Sequence, residues 1–375
     1  MALTRREFLR SLAASAVFSH LARPASFFST KENPFEFLVI GDSLIWGQGL
    51  KEKDKTYTLV ADWLRTEAFG SRREVNLRVE AHSGATITFH EDEAEKYRKA
   101  GRDETYYYPP EINVNFPSMW KQTEVAADKY KAAGKSGADL VLISAGITDI
   151  GVSKVLDPFG DIDELKPQIE RSSGELVFEL LEYIAQLNHD ALIVVVGYFP
   201  IISEKSNGTR LFNGWLESMS FPRFLKPLAN NALLRKLLFG RIKKKVIERS
   251  MLWVAESDRN LQKAVDRINA KLEKRAAVFV PSPLTEDNAI ETPDTLLFRM
   301  GKKGVVEDPL YFERKKDCKV MLNELKRSTG IEFSVRFCEI AGAGHPNEAG
   351  AKAYADAVEA ALAPILSKFS TAGAR

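Results

Sequence analysis

Three short apolar runs that each stop at a glycine constrain this chain more than any other feature. Phe37-Leu-Val-Ile40 runs into Gly41-Asp42-Ser43, and Val75-Asn-Leu-Arg-Val79 leads to His82-Ser83-Gly84. The third, Ala138-Asp-Leu-Val-Leu-Ile-Ser-Ala145, runs into Gly146-Ile147-Thr148-Asp149. Short apolar runs bounded by turn residues predict buried strands. Further strands are expected at Ala191–Gly197 and Ala276–Val280. Helical stretches lie between the runs. Residues 56–69 place Tyr57, Val60, Ala61, Leu64 and Ala68 on one face, and another helix covers 118–133. Ser173 is expected to cap a helix over 174–188, and Ser257 one whose face carries Leu261, Val265, Ile268 and Leu272. Residues 349–366 form a last amphipathic helix. Residues 90–117, with Tyr106-Tyr-Tyr-Pro-Pro110, read as a long loop, and 281–330 as a variable, partly charged region. Strands alternating with helices, without hairpin signals or repeats, predict an α/β fold with a parallel sheet of about five strands.

Composition excludes some functions. The 375 residues carry 53 Lys+Arg against 51 Asp+Glu, a formal charge of +2 that argues against nucleic acid as a partner. Two cysteines, Cys318 and Cys338, are too few for a disulfide scaffold or a cysteine zinc site. Neither a complete dinucleotide fingerprint (Gly47 and Gly49 lack the third glycine) nor a phosphate-binding P-loop occurs, and the histidines are too scattered for a metal site. No cofactor and no metal are expected. The N-terminal Thr4-Arg5-Arg6-Glu7-Phe8-Leu9-Arg10, followed by a mildly apolar run, has the pattern of a twin-arginine export signal. Residues 1–30 are therefore set aside as signal and lead-in; no convincing small-x-small cleavage site follows, Ala22 or Ala25 being the nearest candidates. In an exported protein Cys318 and Cys338 could pair; two buried thiols are the alternative.

In a parallel α/β sheet the reactive loops emerge at the strands' carboxyl ends, so distant stretches converge there. Ser43 sits at such an end, but a serine needs a base to take its proton. His20 lies in the leader, and His90 and His189 in charged surface stretches. His345, in Gly344-His345-Pro346-Asn347 before the last helix, is the base expected to reach Ser43, with His82 as the rival.

These blocks resemble the SGNH (GDSL-type) hydrolase family: Gly41-Asp42-Ser43-Leu44 is similar to its first block, Gly84 to the second, Gly146-Ile147-Thr148-Asp149 to the third and Gly344-His345-Pro346-Asn347 to the last. The order spans nearly all of the chain beyond the leader. The resemblance implies a flavodoxin-like three-layer α/β/α fold over 31–375 as one domain. It also implies Ser43 as nucleophile, His345 as general base, and an oxyanion hole from the N–H groups of Ser43 and Gly84. Two positions depart from the pattern. Thr148 stands where the family has an oxyanion-binding asparagine, so its hydroxyl would have to donate. Gly342 stands where the family has the aspartate that orients the histidine. The carbonyl of Gly342, or a carboxylate from Asp149 or Glu339, would take that role.

The expected activity is hydrolysis of carboxylic esters, with small acyl, glycan or lipid esters as substrate classes. A binding or assembly protein that kept the fold is the alternative. A basic helical insertion is expected around 200–256. Within it, residues 221–250 hold nine Lys or Arg and one Glu interleaved with leucines, a pattern for peripheral membrane contact, a lid, or packing on the domain. The Tyr106–Trp120 stretch would line an acyl or sugar subsite or cover the sheet edge.

Overall fold

The structure, a computed structural model, describes residues 33–106, 108–208 and 232–372. The expected export signal and residues 221–231 of the basic segment lie outside the described residues. Strands β1 (Phe35–Gly41), β2 (Val75–Val79), β3 (Leu140–Ser144), β4 (Leu192–Val196) and β5 (Ala277–Val280) form one sheet in the order β2-β1-β3-β4-β5. All four pairings are parallel, as the sequence pattern requires. β1 and β3 are buried along their whole length, because helices cover both faces of the sheet. The chain leaves β1 for β2 on one side, and β3 fills the other. The strand order therefore reverses between β1 and β3, where open α/β sheets form their crevice. The register sets Gly41 beside Ser144, so the loops after both strands start at the same height.

Among the helices of the described residues, in chain order, are α1 (Ser43–Trp46), α2 (Thr56–Trp63), α3 (Glu91–Lys99), α4 (Met119–Ala132), α5 (Ile147–Ile150), α6 (Leu176–Leu187), α7 (Ala232–Lys271), α8 (Tyr311–Thr329), α9 (Val335–Glu339) and α10 (Glu348–Ala372), with short helical turns at Val152–Val155 and Leu165–Ile169 between α5 and α6. α4, α6 and α7 pack together on one face of the sheet, and α2 and α10 on the other. The result is the three-layer α/β/α fold. No helix among the described residues is long and apolar enough to cross a membrane.

Four local expectations need correction. Ser173 caps nothing: helical backbone already runs from Leu165 through a π-helical turn, Glu170–Glu175, into α6. Pro167, harmless in a first turn where its missing N–H has no helical partner, was the start signal. Ser257 lies inside the 40-residue α7, where its hydroxyl donates to the Val254 carbonyl at 3.2 Å. The supposed loop 90–117 contains α3, with Glu91, Asp92 and Glu93 in its first turn and Lys96, Arg98 and Lys99 in its last, both suited to the helix dipole. The region 281–330 contains α8, which buries Tyr311, Arg314, Cys318, Leu322 and Leu325 on one stripe.

That stripe joins a second core. Tyr108, Ile112, Val114 and Phe116 pack with Tyr97 of α3 and with Cys318, Leu322 and Leu325 of α8. A disulfide joins Cys318 to Cys338, tying α8 to α9. Within the basic segment, Val246, Ile247 and Arg249 are buried while Arg241, Lys244 and Lys245 face solvent. Arg249 donates to the carbonyls of Lys154, Val155 and Gly160. This part of the helix is packed on the sheet layer rather than set apart from it.

Candidate active site

Ser43 opens α1 immediately after β1, and its position is held from several directions. The buried Asp42 carboxylate accepts from the Leu44 N–H at 3.0 Å, from the Ser144 hydroxyl at 2.6 Å and from the Tyr198 hydroxyl at 2.6 Å. Gln122 clamps Gly41, accepting from its N–H at 2.8 Å and donating to its carbonyl at 3.2 Å. Burial raises the Asp42 pKa to about 6, against the pull of these hydrogen bonds. The side chains that fix the nucleophile loop thus come from α4, β3 and the end of β4, too far apart in sequence to be read as a motif.

His345 arrives from the far end of the chain. Its loop is stitched to residues 296–298: the Phe298 N–H donates to the His345 carbonyl at 2.8 Å, Gly344 N–H to the Phe298 carbonyl at 3.0 Å, and Asn347 N–H to the Leu296 carbonyl at 2.9 Å. Asn347 then accepts from the Ala349 and Gly350 N–H groups and starts α10. This brings His345 Nε2 to 2.7 Å from Ser43 Oγ, across 302 residues of sequence. Burial first, and the nearby Arg314 charge second, lower the His345 pKa to about 4, so the ring is neutral at pH 7 and Nε2 can accept a proton. His82 makes no such contact: it is buried with its ring nitrogens 3.0 and 3.1 Å from the carbonyls of Ser83 and Tyr108.

The accessory positions differ from expectation. Thr148 donates its hydroxyl proton to the Ala85 carbonyl at 2.6 Å, and a hydroxyl has one proton to give, so in this arrangement none is left for an oxyanion. Asp149 accepts from the Ile87 N–H at 3.1 and 3.2 Å, holding the turn after Gly84 and not the imidazole. Desolvation raises its pKa to about 7. The Gly342 carbonyl accepts from the backbone N–H of His345 at 3.1 Å, and no hydrogen bond joins it to the ring. Glu339 pairs with Arg336 at 3.1 Å. Nδ1 of His345 is buried without a hydrogen bond of good geometry, and the carbonyl beside it, which favours the protonated ring, belongs to Ala341.

Gly342 has a steric reason to be glycine. A Cβ there would lie 2.5 Å from Asp308 Oδ2 and 2.9 Å from Arg314 Nη2. Those side chains form a fully buried ion pair at 2.6 Å, and Arg314 also donates to Glu111 at 3.0 Å. Glu111 in turn accepts from the Trp46 indole at 3.0 Å and the Gln48 amide at 2.7 Å, bracing the loop after Ser43. The space of the family's carboxylate is thus filled by a structural ion pair.

The N–H groups of Ser43 and Gly84, two residues of the same cavity wall, make no hydrogen bond among the described residues. Above Ser43 and His345 opens a cavity of about 390 Å³ whose walls include Val152, Leu156, Ile202, Ile290, Phe333 and Phe337. No three His, Cys, Asp or Glu side chains among the described residues converge as metal ligands would.

No family model and no curated protein matches this sequence. Several solved structures do. An extracellular lipase from Streptomyces rimosus is 13% identical, with 87% of this chain and 99% of the lipase covered and a TM-score of 0.45. A family 2 carbohydrate esterase from Myceliophthora fergusii, which also carries a carbohydrate-binding domain, is 14% identical, with 89% and 67% covered and a TM-score of 0.39. A GDSL-like lipase from Parabacteroides merdae is 11% identical, with 88% and 96% covered and a TM-score of 0.30. The chain is similar to GDSL-type lipases and carbohydrate esterases. At these values the similarity carries no argument about chemistry, which rests on the geometry above.

Proposed function

We propose that this protein is an exported serine esterase of the SGNH type that cleaves carboxylic esters with an apolar acyl chain. The observation that carries this reading is the 2.7 Å contact between Ser43 Oγ and His345 Nε2 at the floor of an apolar cavity, beside two free N–H donors. Ser43 Oγ attacks the ester carbonyl carbon as its proton passes to His345 Nε2, and the carbonyl π pair moves onto oxygen. The N–H groups of Ser43 and Gly84 hold that oxyanion. The intermediate collapses to the acyl-enzyme, the C–O bond breaks, and His345 returns the proton to the leaving alkoxide. Water, deprotonated by His345, then attacks the acyl-enzyme to release the acid and restore Ser43. With no carboxylate on Nδ1, the Ala341 carbonyl is the group beside the imidazolium as it forms.

The cavity walls favour an acyl chain over acetyl. Each buried methylene contributes about 0.8 kcal/mol, roughly a fourfold gain in kcat/KM while the chain remains inside. Over p-nitrophenyl esters, kcat/KM should climb from acetyl to hexanoyl; a profile falling from acetyl onward would argue for an acetylesterase instead. Ser43→Ala should abolish turnover and labelling by a fluorophosphonate probe. The engaged Thr148 hydroxyl favours a second reading, a binding protein on the same fold. A folded wild-type protein that neither labels nor hydrolyses any ester would establish that one. The Cys318–Cys338 disulfide supports export, since such bonds persist in oxidising compartments.

A further inference from the structure

The third-block position cannot complete the oxyanion hole, yet the structure offers another donor. From its place in the long segment between α3 and α4, we infer that Asn113 supplies the third oxyanion hydrogen bond, replacing the asparagine that Thr148 displaces; this rests on the esterase reading. The backbone just after Asn113 is pinned to the second block. Val114 N–H donates to the Ser83 carbonyl at 3.1 Å, and Thr86 N–H donates to the Asn115 carbonyl at 3.1 Å. The segment lies so close that a Cβ on Gly84 would sit 2.7 Å from the Val114 carbonyl oxygen. Gly84 also has φ +81°, so its place is reserved for glycine twice over. The same Cβ position is 3.2 Å from Asn113 Cγ, which puts the carboxamide beside Gly84. Asn113 shares the cavity wall with Ser43, Gly84 and His345.

Nearness to Gly84, together with its weak hydrogen bonding, selects Asn113 over its neighbours. Its Nδ2 makes one long contact, 3.3 Å to Ser83 Oγ, which leaves the second N–H for an incoming group. Asn115, two residues on and also at the cavity, has one amide N–H held by the Glu93 carboxylate, and it is Asn113, not Asn115, whose side chain is among the atoms nearest Gly84. Thr148 has no proton to spare. An oxyanion held by the Ser43 and Gly84 N–H groups would thus meet the Asn113 amide as the side-chain donor beside Gly84. It comes from a different element than the family's block and reaches the same developing charge.

Kinetics on a p-nitrophenyl ester, with fluorophosphonate labelling of Ser43, test this. Asn113→Ala should lower kcat by about 10²–10³-fold with KM nearly unchanged, because the bond forms to the transition state and not to the ground state. Asn113→Asp, equal in shape but unable to donate when ionised, should lose at least as much and guards against a folding defect in the alanine variant. Thr148→Val should cost far less than either. Placing an asparagine back in the third block, Thr148→Asn on the Asn113→Ala background, should recover part of the lost kcat, which a merely structural role for Asn113 would not allow. The inference is overturned if Ser43 labels and turns over normally while the folded Asn113 variants stay within about threefold of wild type. It is also overturned if Thr148→Val shows the large loss instead. Absence of labelling in the wild type would defeat the esterase reading itself, a separate outcome.

Discussion

Restoring the family's aspartate at Gly342 should damage this protein rather than improve it. The reason is spatial: the Cβ that Gly342→Asp introduces would lie 2.5 Å from a carboxylate oxygen of Asp308 and 2.9 Å from a guanidinium nitrogen of Arg314. Neither neighbour can retreat easily, since both are fully buried and bound to each other. The charge terms largely offset, because at about 4 Å and an effective dielectric near 20 repulsion from Asp308 and attraction to Arg314 are each about 4 kcal/mol. Overpacking then decides, at about 1–3 kcal/mol. At roughly 2–4 °C per kcal/mol this lowers the melting temperature by roughly 2–12 °C. Gly342→Ala isolates the steric part and should show most of the fall. Gly342→Asp adds desolvation of a new carboxylate and should fall at least as far, with no gain in kcat/KM. Scanning calorimetry and ester kinetics on the pair check both halves. A Gly342→Asp protein that melts like wild type and gains tenfold in kcat/KM would refute the reasoning, because it would show that the ion pair leaves room for the carboxylate.

Other outcomes follow from the same network and its surroundings. His345 must be neutral to act, and its pKa is lowered to about 4, so the acidic limb of kcat/KM against pH should lie near 4, not near the ordinary 6.5. A limb at 6.5 would mean that neither burial nor Arg314 acts on the ring. Asp149, raised to about 7 by desolvation, binds its proton more tightly folded than unfolded. Its contribution to stability is therefore full below the unfolded value and lost as pH rises through about 7; thermal denaturation should show lower stability at pH 8 than at pH 5, and a smaller difference in Asp149→Asn. Replacing both Cys318 and Cys338 by serine opens a loop with a sequence separation of 20. That should cost roughly 3 kcal/mol by the loop-entropy relation, read as a fall in the urea midpoint. The exposed Arg241, Lys244 and Lys245 are proposed to contact anionic lipid. Co-sedimentation with phosphatidylserine vesicles at low salt should fall when all three become glutamine; no binding by the wild type would remove the proposal.

Much of this architecture follows from local pattern. The strands could be read because continuous apolar runs ending in glycine admit few other structures, and β2 begins and ends where its alternation does. Ser43 and His345 stood out for the same reason: each lies in a short, distinctive block at a point where the strand–helix alternation puts a loop at the sheet's carboxyl edge. Helices α3 and α8 were hidden because their exposed faces are densely charged, although the spacing of Tyr311, Arg314, Cys318, Leu322 and Leu325 was present to be seen. What surrounds Ser43 and His345 depends on groups that meet only through space. Thr148 looked like a donor until Ala85, 63 residues earlier, took its proton. Gly342 looked like a missing carboxylate until Asp308 and Arg314 filled its place. Asn113 carried no signal, since its value lies in standing beside Gly84, and hydrogen-bond partners and steric exclusion depend on distances that sequence spacing does not encode.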